Sequence, residues 1–328
     1  MKKEFIGIDV SKSTLDVYLY HGKAHKVFDN TLTGFSKLLA WAKRQLKETE
    51  PVFCFEHTGI YSLKLCEFMQ QNQFTYFVIS GLELKRSLGI KRGKNDKVDA
   101  QAIARYAFLF EKELTPYQLP ATSLLKLKNL LTYRAKLVRQ RTAHLNQITE
   151  QKKVLQVSPD DPILVSAQQI IQFLTKEILQ IEKLIRTQIQ QNQEITRTFK
   201  HITSIKGVGL ILAVTLITAT DNFKAFKTWR QFACYAGIAP FEHQSGTSIK
   251  GKTRISTLGN RTIKTLLSQA AATALQHDPE IKMYYQRRLK AGKSKMSTIN
   301  VIRNKIVSRT FAVVKRDKPY VNLAKYAA

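Results

Sequence analysis

Within its first thirty residues the chain repeats one pattern three times: a short run of alternating apolar side chains, closed by a turn. The runs are "EFIGIDV" (4–10), "LDVYLY" (15–20) and "AHKVFDN" (24–30), and they predict three successive strands in a meander. A helical stretch over 34–47 follows. Then come a strand "VFCFE" (52–56), a helix over 60–71, a strand "FTYFVI" (74–79) and a helix from about residue 97.

Three strands followed by β-α-β-α is the order of an RNase H-like (RuvC-like) α/β sheet, one α/β possibility among several that the pattern allows. The middle of the chain changes period. Leu124, Leu127, Leu131, Val138, Leu145 and Ile148 keep a three-four spacing interrupted by Arg134 and Arg141. After "VSPDDP" (157–162), Ile171, Leu174, Ile178, Ile181 and Ile185 resume it. Two long helices joined by a Pro/Asp turn are predicted, as a helical hairpin, a coiled-coil arm that would favour oligomers, or two helices packed on the body. The expected division is 1–115, an α/β domain; 116–199, a helical or coiled-coil spacer; and 200–328, a mainly α domain.

Charge is distributed unevenly along this plan. The whole chain carries 53 Lys and Arg against 24 Asp and Glu, a formal +29. Residues 200–328 hold 23 of the basic residues and only 5 of the acidic ones. Such a field selects polyanions, and nucleic acid is the leading partner. No apolar run approaches the length of a spanning helix, and "MKKEFIGIDV" lacks a signal-peptide pattern, so a cytoplasmic protein that binds no membrane is expected. Cys54, Cys66 and Cys234 show no zinc spacing and read as buried thiols.

The last third opens with "ITSIKGVGLILAVTLI" (202–217). Its Gly207-Val-Gly209 turn, preceded by Lys206, resembles half of a helix–hairpin–helix, whose backbone amides hold a phosphate at a helix N-terminus. A basic and aromatic stretch, "YYQRRLKAGKSKMS" (284–297), contributes Arg287 and Arg288 as further phosphate contacts.

Four acids occupy element ends. Asp9 and Glu56 close strands, and Asp96 and Asp99 stand three apart at a helix start, on one face. Each alone reads as a cap or a surface ion pair. Meeting at one sheet end, they would repel unless cations neutralise them. Hard oxygen ligands suit Mg²⁺, with Mn²⁺ as a substitute, and a two-metal site of this kind clamps both oxygens of a phosphodiester exchange. Lys91, Arg92, Lys94 and Lys97, next to Asp96, attract nucleic acid. Far along the chain, "HQSGTSIKGKTR" (243–254) sets Ser245 before Lys250, Lys252 and Arg254, with Arg261 and Lys264 following. Ser245, Thr247 and Ser248 are rival hydroxyls there, and a serine needs activation to act as a nucleophile.

"GIDVSK" (7–12), "FEHTGIY" (55–61) and "KNDKVDAQAIARYA" (94–107) resemble the N-terminal domain of the DEDD insertion-sequence transposases of the 110/1111 type, a group that includes the Piv-like invertases. "SIKGVGLILAVTLI", "FACYAGIAPFEHQSG" and "GKTRISTLGNRTIKTLL" resemble its C-terminal domain, in the same order. The resemblance implies a Mg²⁺-binding set of Asp9, Glu56, Asp96 and Asp99 in a RuvC-like domain. It also selects Ser245 as a serine that forms a covalent phosphoserine intermediate with DNA. It implies guidance by a noncoding bridge RNA that pairs with donor and target DNA. A homo-oligomer, dimer to tetramer, is implied as well, with the acids of one subunit completing the serine site of another. Thr257 and Lys264 depart from the family, which often has basic residues at both positions, arginine at the second. The expected activity is transposase or site-specific recombinase. The alternatives are a RuvC-like metal-dependent junction nuclease, a DNA invertase, and a nucleic-acid-binding protein without chemistry.

Overall fold

The computed structural model describes residues 2–46, 49–87, 89, 95–154, 158, 160–245 and 249–321, with backbone only at 243–245, 249–250 and 252. These form two compact units, 1–119 and 120–328. Among the described residues no helix is long and apolar enough to cross a membrane.

The first unit begins with the meander: β1 (Lys3–Val10), β2 (Thr14–Leu19) and β3 (His25–Asp29). Helix α1 (Leu32–Leu46) and strand β4 (Glu50–Glu56) follow. After a 3-10 turn come α2 (Leu63–Gln71), β5 (Tyr76–Ile79), a short α3 (Gly81–Ser87) that the sequence pattern did not announce, and α4 (Asp96–Leu109). The sheet order is β3-β2-β1-β4-β5. β1 runs antiparallel to β2 and parallel to β4.

Alternation along β1 assigns its faces. Ile6, Ile8 and Val10 belong to a core with α1 and α2, and Phe5 to a second core with Ile103, Tyr106 and Ala107 of α4. Gly7 lies on this second face, and α4 rests directly on it. A Cβ there would collide with the Ala100 carbonyl and the Ala104 amide. Gly7→Ala is therefore expected to push α4 off the sheet and cost about 3 kcal/mol, read as a lower denaturant midpoint.

The second unit starts with α5 (Thr122–Val154) and α6 (Pro162–Gln190). Arg134 pairs with Glu182 at 2.7 Å, and Ile148 packs on Leu164 and Ala167, so the two helices run antiparallel as a hairpin. Asp161 caps α6, accepting from the amides of Ile163 and Leu164, and Pro162 sits at its first position. Leu145 does not join the seam and is 43% exposed. The remaining helices are α7 (Gln193–Thr203), α8 (Leu210–Ala219) and α9 (Trp229–Tyr235). Strands β6 (Pro240–Ser245) and β7 (Ile249–Ile255) come next, then α10 (Arg261–His277), α11 (Pro279–Lys290) and α12 (Lys295–Arg316). Leu127, Leu137 and Ile185 of the long hairpin share one core with Leu216, Leu267 and Ile306. Arg309 of α12 ties this unit together through Asp278 (3.1 Å), both oxygens of Glu280 (2.8 Å each) and the Tyr320 ring.

One expectation about the cysteines is corrected. Cys54 and Cys66 are buried, but Cys234 is exposed. The inward face of α9 is taken by Phe232 and Ala233, and residue 234 falls on the far side of so short a helix.

Candidate functional site

The carboxylates of the first unit share one face of the sheet. In the β1–β4 ladder Ile8 pairs with Phe55, which leaves Glu56 level with Asp9 one step on. In the β1–β2 ladder Asp9 stands opposite Asp16. Paired residues point the same way, so Asp9, Asp16 and Glu56 all project from the face that Gly7 opens to α4. Asp96 and Asp99 arrive there in the first turn of that helix.

The N-cap of α4 is neither of these acids. Asn95 fills it, its side chain accepting from the Lys97 amide at 3.0 Å. Asp96 and Asp99 are thus relieved of capping duty and available for other work. The charge density is felt most at Asp9. Burial, then Asp99, Asp96, Asp16 and Glu56, push its carboxyl up to about 6. Among the described residues no three acidic, His or Cys side chains already converge on one point fit for an ion. The donors on this face are nonetheless the oxygens that a hard divalent cation takes.

Asp16 is a group the sequence reading missed. It is 9% exposed, and its Oδ1 lies 2.9 Å from His25 Nε2. Its signal was present in "LDVYLY", where one polar residue alternates with apolar ones. Only the antiparallel register, however, sets it against Asp9. Glu56 is placed from its far side by Gly81, where a Cβ would collide with the carboxylate.

In the second unit Ser245 is not a loop residue. It ends β6 and pairs with Ile249 of β7. The two strands form an antiparallel hairpin with a register shift between Phe241 and His243, an element the sequence reading did not foresee. Lys250, Lys252 and Arg254 lie on β7. Arg254 is exposed, and the side chains of Ser245, Lys250 and Lys252 lie outside the described set. Arg261 and Lys264 open α10, whose N-cap, Asn260, accepts from the Ile263 amide at 3.1 Å. The rival hydroxyls Thr247 and Ser248, with Lys91, Arg92 and Lys94, lie outside the described residues.

The remaining basic candidates are dispersed. Lys206 and Gly209 are exposed in the turn between α7 and α8. Gly207, at φ +93°, has its Cα facing α10, where a Cβ would collide with the Ala270 carbonyl. Its glycine is required by packing as well as by backbone geometry. Arg287 lies 5.5 Å from the Tyr284 ring centroid and Lys305 4.0 Å, a cation–aromatic cluster on α11 and α12. Arg288 is half-buried, and its Nε finds no hydrogen-bond partner among the described residues.

Two family models match the chain. A DEDD transposase model of the IS110 type covers residues 6–156, and the model described as "Transposase IS116/IS110/IS902 family" covers residues 199–286. The pilin gene-inverting protein of Moraxella bovis is 27% identical over 98% of both chains. The transposase for insertion sequence element IS1111A of Coxiella burnetii is 25% identical over 57% of each. A 43.6 kDa protein of insertion element IS110 from Streptomyces coelicolor is 32% identical over 35% of this chain and 28% of its own.

Proposed function

Because the chain belongs to the IS110/IS116 family of transposases, we propose that it is a DNA recombinase joining a metal-binding acid set, Asp9, Glu56, Asp96 and Asp99, to a serine nucleophile, Ser245. The observation that carries this reading is the gathering of the first-unit acids at one sheet end, where burial and then the charges of Asp99, Asp96, Asp16 and Glu56 push the Asp9 carboxyl up to about 6. Structural caps would be scattered. Like charges held this close destabilise a fold, and that is tolerated at working sites. The sheet order β3-β2-β1-β4-β5 supports a RuvC-like assignment for the first unit, and the α5–α6 hairpin supports a coiled-coil role in a dimer to tetramer.

In this reading the Ser245 hydroxyl attacks a backbone phosphorus and displaces a deoxyribose oxygen. The phosphodiester energy is stored as a phosphoserine until a free DNA hydroxyl reverses the exchange. A bound Mg²⁺ would supply Lewis-acid stabilisation of the charge that builds on the phosphoryl oxygens. Asp9, Glu56, Asp96 and Asp99 would hold it. Arg254, Arg261 and Lys264, with Lys250 and Lys252, neutralise the phosphates that flank the reacting one. The similarity, over nearly the full length of both chains, to a pilin gene-inverting protein favours inversion as one outcome of the same chemistry.

Trapping the protein on DNA, digesting it and fragmenting the modified peptide tests the nucleophile directly. A nucleotide on Ser245 is expected. A nucleotide on Thr247 or Ser248, or cleavage with no adduct, refutes the assignment. The guide is tested by sequencing nucleic acid that co-purifies from the host. One abundant noncoding RNA from the flank of the gene supports a bridge RNA, and random fragments count against it.

A further inference from the structure

The hairpin that ends in Ser245 is gripped at its base by a helix from much later in the chain. Ile238 lies two residues before β6 and is fully buried. Its carbonyl accepts from Asn300 Nδ2 at 2.9 Å and from Asn304 Nδ2 at 3.0 Å, two amides one turn apart on α12. The second hydrogen of Asn304 Nδ2 goes to the Asn300 carbonyl at 2.9 Å. Asn300 Oδ1 accepts from Arg303 Nη1 at 3.4 Å, which fixes the amide so that its nitrogen faces Ile238. Arg303 is only 6% exposed, and its Nε has no hydrogen-bond partner among the described residues. A buried guanidinium of this kind is costly to keep.

The same base is pinched by two glycines. Gly237, at φ +67°, ends α9, and its Cα meets Gly259, so that a Cβ on either would strike the other's backbone. The Asn260 amide then donates to the Tyr235 carbonyl at 2.9 Å, joining the end of α9 to the start of α10 beneath the hairpin. A two-stranded ribbon of this length is marginal by itself, so its direction is inherited from its foot.

We propose that Asn300 and Asn304, with Arg303 behind Asn300, are positioning residues that aim the Ser245 hairpin by clamping the Ile238 carbonyl. The proposal rests on the reading of Ser245 as nucleophile for its chemical consequence. The clamp itself stands on the hydrogen bonds. An amide pair on one carbonyl sets both distance and angle, and a nucleophile displaced by an ångström loses about 100-fold in rate.

Asn300→Asp tests it with little threat to folding, because the new carboxylate keeps an acceptor toward Arg303 and turns an oxygen, in place of a donor, toward Ile238. Asn304→Ala is the second variant. Hydrogen exchange should accelerate roughly ten-fold in 240–245 and 249–255 while α10 is unchanged. At saturating DNA the rate of covalent adduct formation should fall roughly 10- to 100-fold, with the half-saturating DNA concentration within about twofold of the parent. Unchanged exchange in the hairpin for both variants overturns the clamp. Faster exchange with an unaltered adduct rate overturns its link to the chemistry. Ser245→Ala run in parallel separates the two ideas. If that variant still forms adduct, the serine reading falls while the exchange data still decide the clamp.

Discussion

Ser245→Ala is expected to abolish recombination and adduct formation, a fall of roughly 10⁴-fold or more, while DNA affinity stays within a few-fold. The split follows from what the substitution removes. The positive charge of this region resides in Lys250, Lys252, Arg254, Arg261 and Lys264, none of which is touched. One oxygen is lost, and with it the only bond through which DNA would be held covalently. The backbone of residue 245 is already in a strand paired to Ile249, and alanine fits that geometry without strain, so the melting temperature should not move. Strand cleavage at the parental rate by the alanine variant would transfer the chemistry to water activated at the acid cluster, the nuclease alternative. Gel-shift titration and denaturing electrophoresis on the same DNA measure both halves of the prediction.

Asp9→Asn should lower activity by at least about 10³-fold and at the same time stabilise the metal-free protein. The sign follows from the raised carboxyl. Below pH 4 both folded and unfolded chains carry a neutral Asp9. From about pH 4 to about 6 the unfolded chain ionises while the folded one keeps its proton, so stability falls as pH rises. Above 6 the full cost of an ionised Asp9, half-buried and beside Asp99, Asp96, Asp16 and Glu56, is present. A displacement from 3.8 to about 6 corresponds to about 3 kcal/mol in a dry site. Solvent screening of this half-open carboxyl reduces it to about 1 kcal/mol. The asparagine variant should therefore melt about 2–4 °C higher at pH 8, with no gain at pH 4. Mg²⁺ should raise the melting temperature of the parent and leave the variant unmoved. A variant that melts lower at pH 8, or that responds to Mg²⁺ as the parent does, contradicts the placement of Asp9 in a repelling, cation-seeking cluster.

Opposite outcomes on stability and activity separate a working acid from a structural one. Were Asp9 a turn cap, its loss would lower both together. The same contrast applies to Gly7, three positions from the end of the same strand. Its substitution harms the fold because α4 sits on its Cα.

Much of the first unit was legible in the sequence. Alternating runs gave β1 to β5 to within two or three residues, because a half-buried strand must alternate. The four acids were visible because each stood at an element end. The long helices were visible as well, since Ile171 to Ile185 repeat with the helical period. What escaped was whatever depends on residues distant in the chain. "FEHQS" and "IKGKTR" lack the apolar alternation of a buried strand, so the hairpin bearing Ser245 left no periodic trace. Its existence rests on a partner strand and on a foot built from α9, α10 and α12.

By itself, then, the sequence determined the strands of the first unit and the long helices of the second, which of their ends carry a carboxylate, and that the last third is strongly basic. These follow from local period and local charge. Tertiary structure alone decided that Asp16 faces Asp9, that Asn95 caps α4 in place of Asp96, that Gly237 must meet Gly259, and that Asn300 and Asn304 hold the Ile238 carbonyl. Each of these is a register or a crossing of backbones. Such contacts are set by how sheets and helices pack, a property that no short window of residues carries.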